Sequence, residues 1–298
     1  MQSTQIGCIS RSLRTLGEEL EVAPPAALQA AFSAGPVLRF GPAGEFVVRV
    51  AASEEDRRRA WALAYQVYLE KEYAEPRAGR LWYSRFDALP GTITVLVERT
   101  AVEGGGWKVE GRECPATSTI HHPPSTSLIG AVTVVPDSSM GLPSDETFPV
   151  ETSALRSGGR RLAEAVSLVQ AGTSERSGVL VAARLCELTC LVAERVLGAT
   201  DLVITVNPRH EDYYRRVMLF ERRGGVARCR KVSGAPAVFL TLGFADMAGH
   251  RRRASGPDAP RTLYRRFASE EDWGAIAARI RAEARPLDGS ALGRYFPD

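Results

Sequence analysis

The chain has 298 residues, of which 44% are hydrophobic and 24% are charged, and its formal net charge is +3. These values are ordinary for a globular protein, exclude a disordered or collagen-like chain, and are too weakly basic to indicate nucleic-acid binding. No run approaches 18 apolar residues and the N-terminus lacks a signal pattern, so we expect a soluble protein without a membrane span. The cysteines are odd in number, with no disulfide or zinc spacing, which favours a reduced, cytoplasmic setting. They are Cys8, Cys114, Cys186, Cys190 and Cys229.

Hydrophobic periodicity divides the chain into three parts. Residues 1–45 are predicted to be an N-terminal extension with little core, containing one short helix near Ala26–Phe32. Residues 46–249 carry the periodic elements of one domain, interrupted at 101–127 by a Gly-, Pro- and Ser-rich surface insertion. Residues 250–298 are predicted to be an Arg- and Pro-rich linker followed by one helix.

The central part alternates between strand and helix patterns. Its predicted strands are Phe46–Val50, Thr92–Val97, a β-branched run from Leu128, Leu162–Gln170, Asp201–Val206 and Val238–Leu242. Its predicted helices run from about Ser53 to Tyr73, over Val179–Leu197 and over Glu211–Met218, and the C-terminal helix covers about Glu270–Ala284. This order predicts an α+β protein in which helices cover a mixed sheet.

One carboxylate stands out in the fourth predicted strand. Leu162, Glu164 and Val166 share a face, because strand side chains alternate. Burying a carboxylate among apolar residues is costly unless it is paired. Glu164 is therefore either a functional acid or base, or half of an ion pair with Arg160 or Arg161.

A set of short motifs, in this order, resembles the GNAT acyltransferases, and more narrowly the N-acyl amino acid synthases related to acyl-homoserine-lactone synthases. The motifs are Asp87-Ala-Leu-Pro90, Gly141-Leu-Pro143, Phe148-Pro-Val-Glu151, Leu155-Arg156, Gly159-Arg160, Glu164-x-x-Ser167, Asn207-Pro-Arg-His210, Tyr213-Tyr214 and Phe220-Glu221. The resemblance covers roughly residues 46–245. It implies a central twisted, mostly antiparallel sheet, in which the fourth and fifth predicted strands splay apart around the phosphopantetheine arm of an acyl donor.

Two departures from these families narrow the prediction. The stretch after the fourth strand, Ala171–Gly178, lacks the loop with which ordinary GNAT enzymes hold the coenzyme A pyrophosphate. Ser167 stands where homoserine-lactone synthases have an arginine, which argues against homoserine lactone as the acceptor. The resemblance therefore favours an acyl carrier protein as donor and an amino acid as acceptor.

The resemblance also implies roles for the chemistry-bearing residues. Glu164 would be the base that deprotonates the acceptor amine, with Glu151 as a second candidate or a solvated turn residue. Asp87 would hold the acceptor ammonium, although an aspartate before Ala-Leu-Pro is also a natural turn starter. Tyr213 or Tyr214, and in our assignment Tyr214, would protonate the leaving thiolate unless the pair is core packing.

Other positions are assigned to binding. Arg156 or Arg160 would clamp the acceptor carboxylate, or be solvated loop residues. The helix start after the fourth strand would bind the donor phosphate. The remaining substrate-binding candidates are Phe148, Ser167 and Asn207, and the phosphopantetheine-binding candidates are Arg176, Ser177 and Gly178.

The sequence thus predicts an N-acyl amino acid synthase that moves a long-chain fatty acyl group from an acyl carrier protein to an α-amine. The alternatives are a GNAT enzyme using acyl- or acetyl-coenzyme A, and a catalytically silent module that binds acyl carriers. We expect no permanent cofactor, no metal at His121-His122, no nucleic-acid partner, and membrane association only through the product. An arginine-rich surface is predicted to receive the acidic carrier protein. Its residues are Arg184, Arg222, Arg223, Arg228, Arg230 and Lys231.

Overall fold

The computed structural model describes residues 38–41, 44–100, 127–254 and 262–297. The strands are β1 (Leu38–Phe40), β2 (Phe46–Val50), β3 (Ile93–Arg99), β4 (Ser127–Pro136), β5 (Leu162–Gln170), β6 (Asp201–Val206), β7 (Glu221–Cys229) and β8 (Ala235–Gly243). The helices are α1 (Glu54–Glu70), α2 (Pro149–Ser157), α3 (Glu175–Leu191), α4 (Glu211–Val217), α5 (Phe244–Arg253), α6 (Glu270–Glu283) and α7 (Gly289–Tyr295). Short 3₁₀ turns lie at Arg85–Ala88, Pro143–Glu146, Pro208–His210, Arg230–Val232 and Leu263–Arg266, and a π turn at Val192–Val196 follows α3.

The strands form one sheet in the order β1-β2-β3-β4-β5-β6-β8-β7. Neighbouring strands are antiparallel except β5 and β6, which are parallel. The predicted mixed, mostly antiparallel sheet is therefore confirmed.

The first face of the sheet packs against α3, most of whose apolar side chains are buried in the main core. Val132 and Val134 of β4 point to this face and join the main core with Leu185 and Leu188 of α3. At Gly130 the helix comes so close that an added Cβ would lie 3.0 Å from a Val181 methyl group. A side chain at Gly130 would thus push α3 away from the sheet.

Helix α6 packs against the outer side of α3. At this contact Arg184 and Glu187 of α3 form a buried ion pair. Glu187 also accepts a hydrogen bond of 3.0 Å from the indole N–H of Trp273, which is fully buried. A polar stripe that looks solvent-facing in the sequence is thus an internal interface.

The second face is covered by two groups of elements. Helix α1 packs on Leu96, Ala131 and Val169, which alternate with the residues of the first face. Further along the sheet, the turn at Arg85–Ala88 and helix α2 cover β5, β6 and β8. The site described below lies between these two groups.

Several predicted boundaries differ from the structure. Residues 38–40, placed in the N-terminal extension, form β1 and pair with β2. The arginine-rich stretch at 221–229, not predicted as a strand, forms the edge strand β7. The part placed in a C-terminal linker and helix contains α6, whose Trp273 and Ile276 belong to the main core, and α7. Helix α3 starts at Glu175, four residues before the predicted start.

Some predictions fall outside the described residues. These are the helix near Ala26–Phe32, Cys8, the insertion with Cys114 and His121-His122, and most of the proposed linker. Within the described residues, no helix is both long and apolar enough to cross a membrane. Nor does any group of three or more His, Cys, Asp or Glu in the described ranges have the arrangement of a metal site.

The predicted splay between the fourth and fifth strands is present between β5 and β6. Their pairing ends at Ala165 and Ile204, although both strands continue. A β-bulge accompanies the divergence: Ala131 of β4 pairs with Val169, but Thr133 pairs with Val166, so β5 holds one extra residue. Ser167 lies in this bulge with a φ of +52°, a conformation that costs free energy for a residue other than glycine. The bulge turns β5 away from β6 and opens the sheet.

Candidate active site

A cavity of about 260 Å³ occupies the opening between β5 and β6. Its wall includes Cys186 and Thr189 of α3 on the first face, and Ser144 and Glu164 on the second face. The cavity therefore connects the two faces of the sheet through the divergence. Most of its wall is apolar, including Val166, Leu168, Val169, Leu202, Ile204, Val206 and Met218.

Glu164 is the buried carboxylate in this wall, with 1% of its surface exposed. Its Oε2 accepts a hydrogen bond of 2.7 Å from the backbone N–H of Ser144. Burial raises the pKa of Glu164 to about 7, while hydrogen bonds from Ser144 and the positive charge of Lys231 oppose the rise. A carboxyl group with this pKa can accept and release a proton near neutral pH.

The predicted ion-pair partners of Glu164 are engaged elsewhere. Arg160 lies 3.5 Å from Asp201, and the Arg161 guanidinium donates to the Gly198 carbonyl. These arginines follow α2 at the surface, whereas the Glu164 side chain points into the sheet interior. The expectation that Arg160 or Arg161 neutralises Glu164 is corrected accordingly.

Lys231 is a cation whose charge acts on Glu164. Its Nζ donates a hydrogen bond of 2.8 Å to the carbonyl oxygen of Pro143. That carbonyl and the Ser144 N–H belong to the same peptide group, so one peptide links the ammonium to the Glu164 carboxylate. The ammonium also lies 5.1 Å from the ring centroid of Phe86, which fixes its position from the other side.

Ser167, Asn207 and Tyr214 all line the cavity. A side-chain hydrogen bond joins Ser167 to Tyr68 of α1, which also lines the cavity and whose pKa burial raises to about 12. The Asn207 side chain accepts a hydrogen bond from the Arg209 N–H and so shapes the chain at the end of β6.

The two tyrosines of α4 occupy different environments. Tyr214 faces the cavity, whereas the Tyr213 hydroxyl is directed towards the Cys186 thiol. Burial raises the pKa of Tyr213 well above its usual value. Of the two, Tyr214 has the position required to meet a bound substrate.

Some polar atoms in the cavity wall are buried and have no partner among the described residues. They include the hydroxyl of Thr205 and the amide oxygen of Gln170. Gln170 is held by its amide nitrogen, which donates to the Thr173 hydroxyl at 2.6 Å. Such atoms are costly to leave unpaired, so a ligand that hydrogen-bonds to them gains free energy.

Asp87 does not line the cavity. Its carboxylate accepts hydrogen bonds from the Trp61 indole at 2.9 Å and from the Ser84 N–H at 2.9 Å. Burial raises the pKa of Asp87, and these hydrogen bonds oppose the rise. The structure thus gives Asp87 the environment of the turn starter considered above, beneath the aromatic cluster of Trp61 and Tyr83.

The predicted carboxylate clamp at Arg156 is already occupied. Arg156 contacts Asp137 at 2.6 Å and Asp145 at 2.8 Å, which ties α2 to the turn before it. Burial by itself would raise the pKa of Asp145. The hydrogen bonds from Arg156, Thr152 and the Leu142 N–H outweigh it and lower this pKa to about 2. Arg156 therefore stabilises the segment that carries Ser144, and does so without lining the cavity.

Phe148 and Glu151 also act on this segment. Phe148 is buried and packs against Phe239, with ring centroids 5.5 Å apart. Glu151 on α2 lies against Gly224 of β7, where an added Cβ would collide with its carboxylate. Both residues shape the second face, and neither of them lines the cavity.

The predicted phosphate site lies at the start of α3. Ser174 caps this helix by accepting from the Ser177 N–H at 3.3 Å, and the Gly178 N–H donates to the Ser174 carbonyl. Only the backbone of Arg176 is described. The role of Arg176, Ser177 and Gly178 in binding phosphopantetheine stays a prediction.

Half of the residues of the predicted arginine-rich surface lie on one strand. β7 is an exposed edge strand, and Arg222, Arg223 and Arg228 lie on it. Arg184, however, is buried in its ion pair with Glu187, because α6 covers that side of α3. Arg184 is therefore removed from this surface.

The structure adds residues that the motifs did not indicate. Lys231, Tyr68 and Thr205 have no local sequence signal for an active site. Lys231 and Pro143 are 88 residues apart, so only the fold brings them together. Ser144, next to the Gly141-Leu-Pro143 motif, could have been noticed as its neighbour.

Comparisons with known proteins agree with this architecture. Residues 112–243 match the model of a family described as N-acyl amino acid synthase FeeM. The solved structure of FeeM, an N-acyl amino acid synthase from uncultured soil microbes, is 21% identical with a TM-score of 0.52, and the match covers 68% of this chain and 94% of FeeM.

Two other solved structures are similar at lower scores. The AHL synthase LasI is 14% identical with a TM-score of 0.42, and the match covers 66% of this chain and 89% of LasI. The CoA-dependent acyl-homoserine lactone synthase BjaI, solved with SAM and isopentyl-CoA, is 14% identical with a TM-score of 0.39, and the match covers 78% of this chain and 98% of BjaI. No curated protein sequence matches the chain. The chain thus has a GNAT-like acyltransferase fold, and its residues 112–243 match the N-acyl amino acid synthase family.

Proposed function

We propose that the protein transfers a long-chain fatty acyl group from the phosphopantetheine thioester of an acyl carrier protein to the α-amine of an amino acid. The observation that carries this proposal is the apolar cavity between β5 and β6 with the Glu164 carboxylate in its wall. An apolar passage suits an acyl chain and its thioester, and a buried carboxyl group suits an amine that must lose a proton.

The reaction needs one bond formed and one bond broken at the thioester carbonyl. The neutral amine attacks the carbonyl carbon, a C–N bond forms, and the C–S bond breaks to release the thiolate of the donor arm. Glu164 takes the proton that the ammonium must lose, directly or through a water molecule. Tyr214 in the cavity wall supplies a proton to the leaving thiolate. The second proton that the nitrogen loses as the tetrahedral intermediate collapses returns to Tyr214 through water, so that the tyrosine is regenerated.

The donor arm finds hydrogen-bonding groups along the opening. The edges of β5 after Ala165 and of β6 after Ile204 do not pair with each other, so an extended pantetheine arm can lie between them as an added strand does. The unpaired Thr205 hydroxyl and Gln170 amide oxygen offer further partners for the amide groups of the arm. Backbone N–H groups at the opening would hold the thioester oxygen as negative charge develops there.

The carrier protein is favoured as donor by two features. The stretch between β5 and α3 lacks the pyrophosphate-binding loop that ordinary GNAT enzymes use for coenzyme A. The exposed edge strand β7 offers Arg222 and Arg223 to an acidic partner. The alternative donor, acyl-coenzyme A, is an outcome of the experiment below.

The test is to incubate the purified full-length protein with acyl carrier proteins or coenzyme A bearing saturated acyl chains of several lengths, and with a mixture of amino acids. Mass spectrometry then identifies any N-acyl amino acid formed. Product with the carrier donor supports the proposal, and product with acyl-coenzyme A alone establishes the alternative donor. No amide product with any donor and acceptor would refute N-acyltransfer to amino acids.

A further inference from the structure

We propose that Lys231 holds the carboxylate of the acceptor amino acid, and that with Glu164 it selects α-amino acids over simple amines. This inference rests on the proposed function. It starts from the cations in the cavity wall, because an amino acid brings a carboxylate that needs a positively charged partner in an apolar site.

Among the described residues, the lysines and arginines lining the cavity are Lys71, Arg209 and Lys231. Arg209 lies at the end of β6, where its guanidinium donates to the Tyr73 hydroxyl at 2.5 Å. Lys71 follows α1 two residues before Tyr73, so it belongs to the same part of the wall. Lys231 alone of the three is linked through a hydrogen-bonded peptide to the Glu164 carboxylate.

The spacing of Lys231 and Glu164 fits an amino acid. Hydrogen bonds of 2.8 and 2.7 Å on the two sides of one peptide group place Nζ and Oε2 at most about 8 Å apart. In an α-amino acid, nitrogen and carboxylate oxygen are about 3 Å apart, so two further hydrogen bonds give a span of about 8 Å. The acceptor can thus bridge the two side chains alongside the peptide, with its amine on Glu164 and its carboxylate on Lys231.

Lys231 has hydrogen-bonding capacity for this role. An ammonium carries three N–H donors, and the Pro143 carbonyl takes one of them. The nearest acidic partner, Glu146, lies 3.8 Å from Nζ and is half-exposed, so it is a weak competitor. The Phe86 ring and the Pro143 carbonyl hold the ammonium in place, which reduces the entropy lost when substrate binds.

The first test is Lys231→Met, which keeps the apolar stem and removes the charge. The KM for the amino acid is expected to rise about 10- to 100-fold, the value of a hydrogen bond between charged groups. The KM for the corresponding decarboxylated amine should be unchanged, because that substrate has nothing for Lys231 to hold. Lys231→Arg should recover part of the lost affinity, and Arg252→Met, an exposed change on α5 outside the site, should leave the amino acid KM unchanged.

A pH profile separates a direct role from a structural one. The groups whose charges act on Glu164 include Lys231, which lowers its pKa, and Asp145, which raises it. Removing the Lys231 charge should therefore move the acidic limb of kcat to higher pH, whereas Arg252→Met should not.

A second test needs no variant and so does not depend on folding. The wild-type protein should bind the amino acid amide, which lacks the carboxylate, about 10- to 100-fold more weakly than the amino acid. Equal KM values for amino acid, amide and amine in the wild type would overturn the inference while leaving N-acyltransfer intact. A loss in Lys231→Met that is the same for amino acid and amine would overturn it as well. Absence of acylation with every acceptor and donor would instead refute the proposed function.

Discussion

Replacing Glu164 with glutamine should stabilise the folded protein at alkaline pH while it inactivates the enzyme. The glutamine keeps the shape of the side chain and an oxygen that can accept from the Ser144 N–H, but it cannot ionise or act as a base. Both effects have the same cause. The buried carboxylate of Glu164 destabilises the folded protein when it is ionised, and the same carboxylate is the base that the proposed reaction needs.

The magnitude follows from the pKa of Glu164, which burial raises from its ordinary value of 4.5 to about 7. Between these pH values the folded protein retains a proton that the unfolded chain has released. Rising pH therefore favours unfolding in this window, and the full cost is present above pH 7. At about 1.4 kcal/mol for each tenfold change in proton affinity, the rise from 4.5 to about 7 corresponds to about 3 kcal/mol.

The assay is chemical denaturation of wild type and Glu164→Gln at pH 4 and pH 8.5. The free energy of unfolding of the variant, relative to that of the wild type, should be about 3 kcal/mol higher at pH 8.5 than at pH 4. The other titrating groups are the same in both proteins, so their contributions cancel in this comparison. Its kcat should fall about 100- to 10,000-fold, as expected for loss of a general base, with donor affinity nearly unchanged. A stability difference that does not depend on pH would refute the raised pKa, and an unchanged kcat would remove Glu164 from the mechanism.

Three further predictions concern the surroundings of the site. Arg156→Lys should destabilise the protein by about 1–2 kcal/mol at pH 7 by breaking the paired hydrogen bonds to its aspartates, without raising the acceptor KM. That loss should shrink as pH falls towards 2, through the pKa of Asp145, and a large rise in KM would instead show that Arg156 holds substrate. A chain that begins after Leu38–Phe40 should be about 3 kcal/mol less stable than one that begins with them, because it loses a buried phenylalanine, and equal melting temperatures would show that β1 contributes nothing. The Arg222→Glu, Arg223→Glu double variant should raise the KM for an acyl carrier donor and flatten its salt dependence, without changing any reaction with acyl-coenzyme A. Arg58→Glu, an exposed change on α1, is the control and should leave the carrier KM unchanged; an equal effect of both would contradict a specific docking surface.

The amino-acid sequence by itself determined the order of the strands and helices in the central part of the chain. β-branched runs and alternating patterns fixed the strands from β2 to β6, since these strands bury at least one face. The same alternation singled out Glu164, because a carboxylate on an apolar strand needs an explanation wherever the strand lies.

The edge strand of the sheet and the interface between α3 and α6 could be recognised only from the tertiary structure. β7 carries arginines and two adjacent glycines, and in the described part of the chain it lies at the edge of the sheet, so its sequence does not have the composition of a buried strand. Arg184 and Glu187 look like a solvated stripe until Trp273, 86 residues beyond Glu187, covers them. Local composition carries no information about such distant coverage.

The geometry of the site was also decided by the tertiary structure. The bulge at Ser167 depends on how β5 pairs with β4, and no local signal marks a serine that must adopt a positive φ. The peptide group between Pro143 and Ser144, in the turn before α2, links Lys231 in the turn after β7 to Glu164 on β5. Only the folded sheet brings these three segments together. The sequence thus pointed to Glu164 as the candidate base. Only the fold decided that the sheet opens beside Glu164, that Lys231 lies near it, and that Arg156 and Asp87 do not line the cavity.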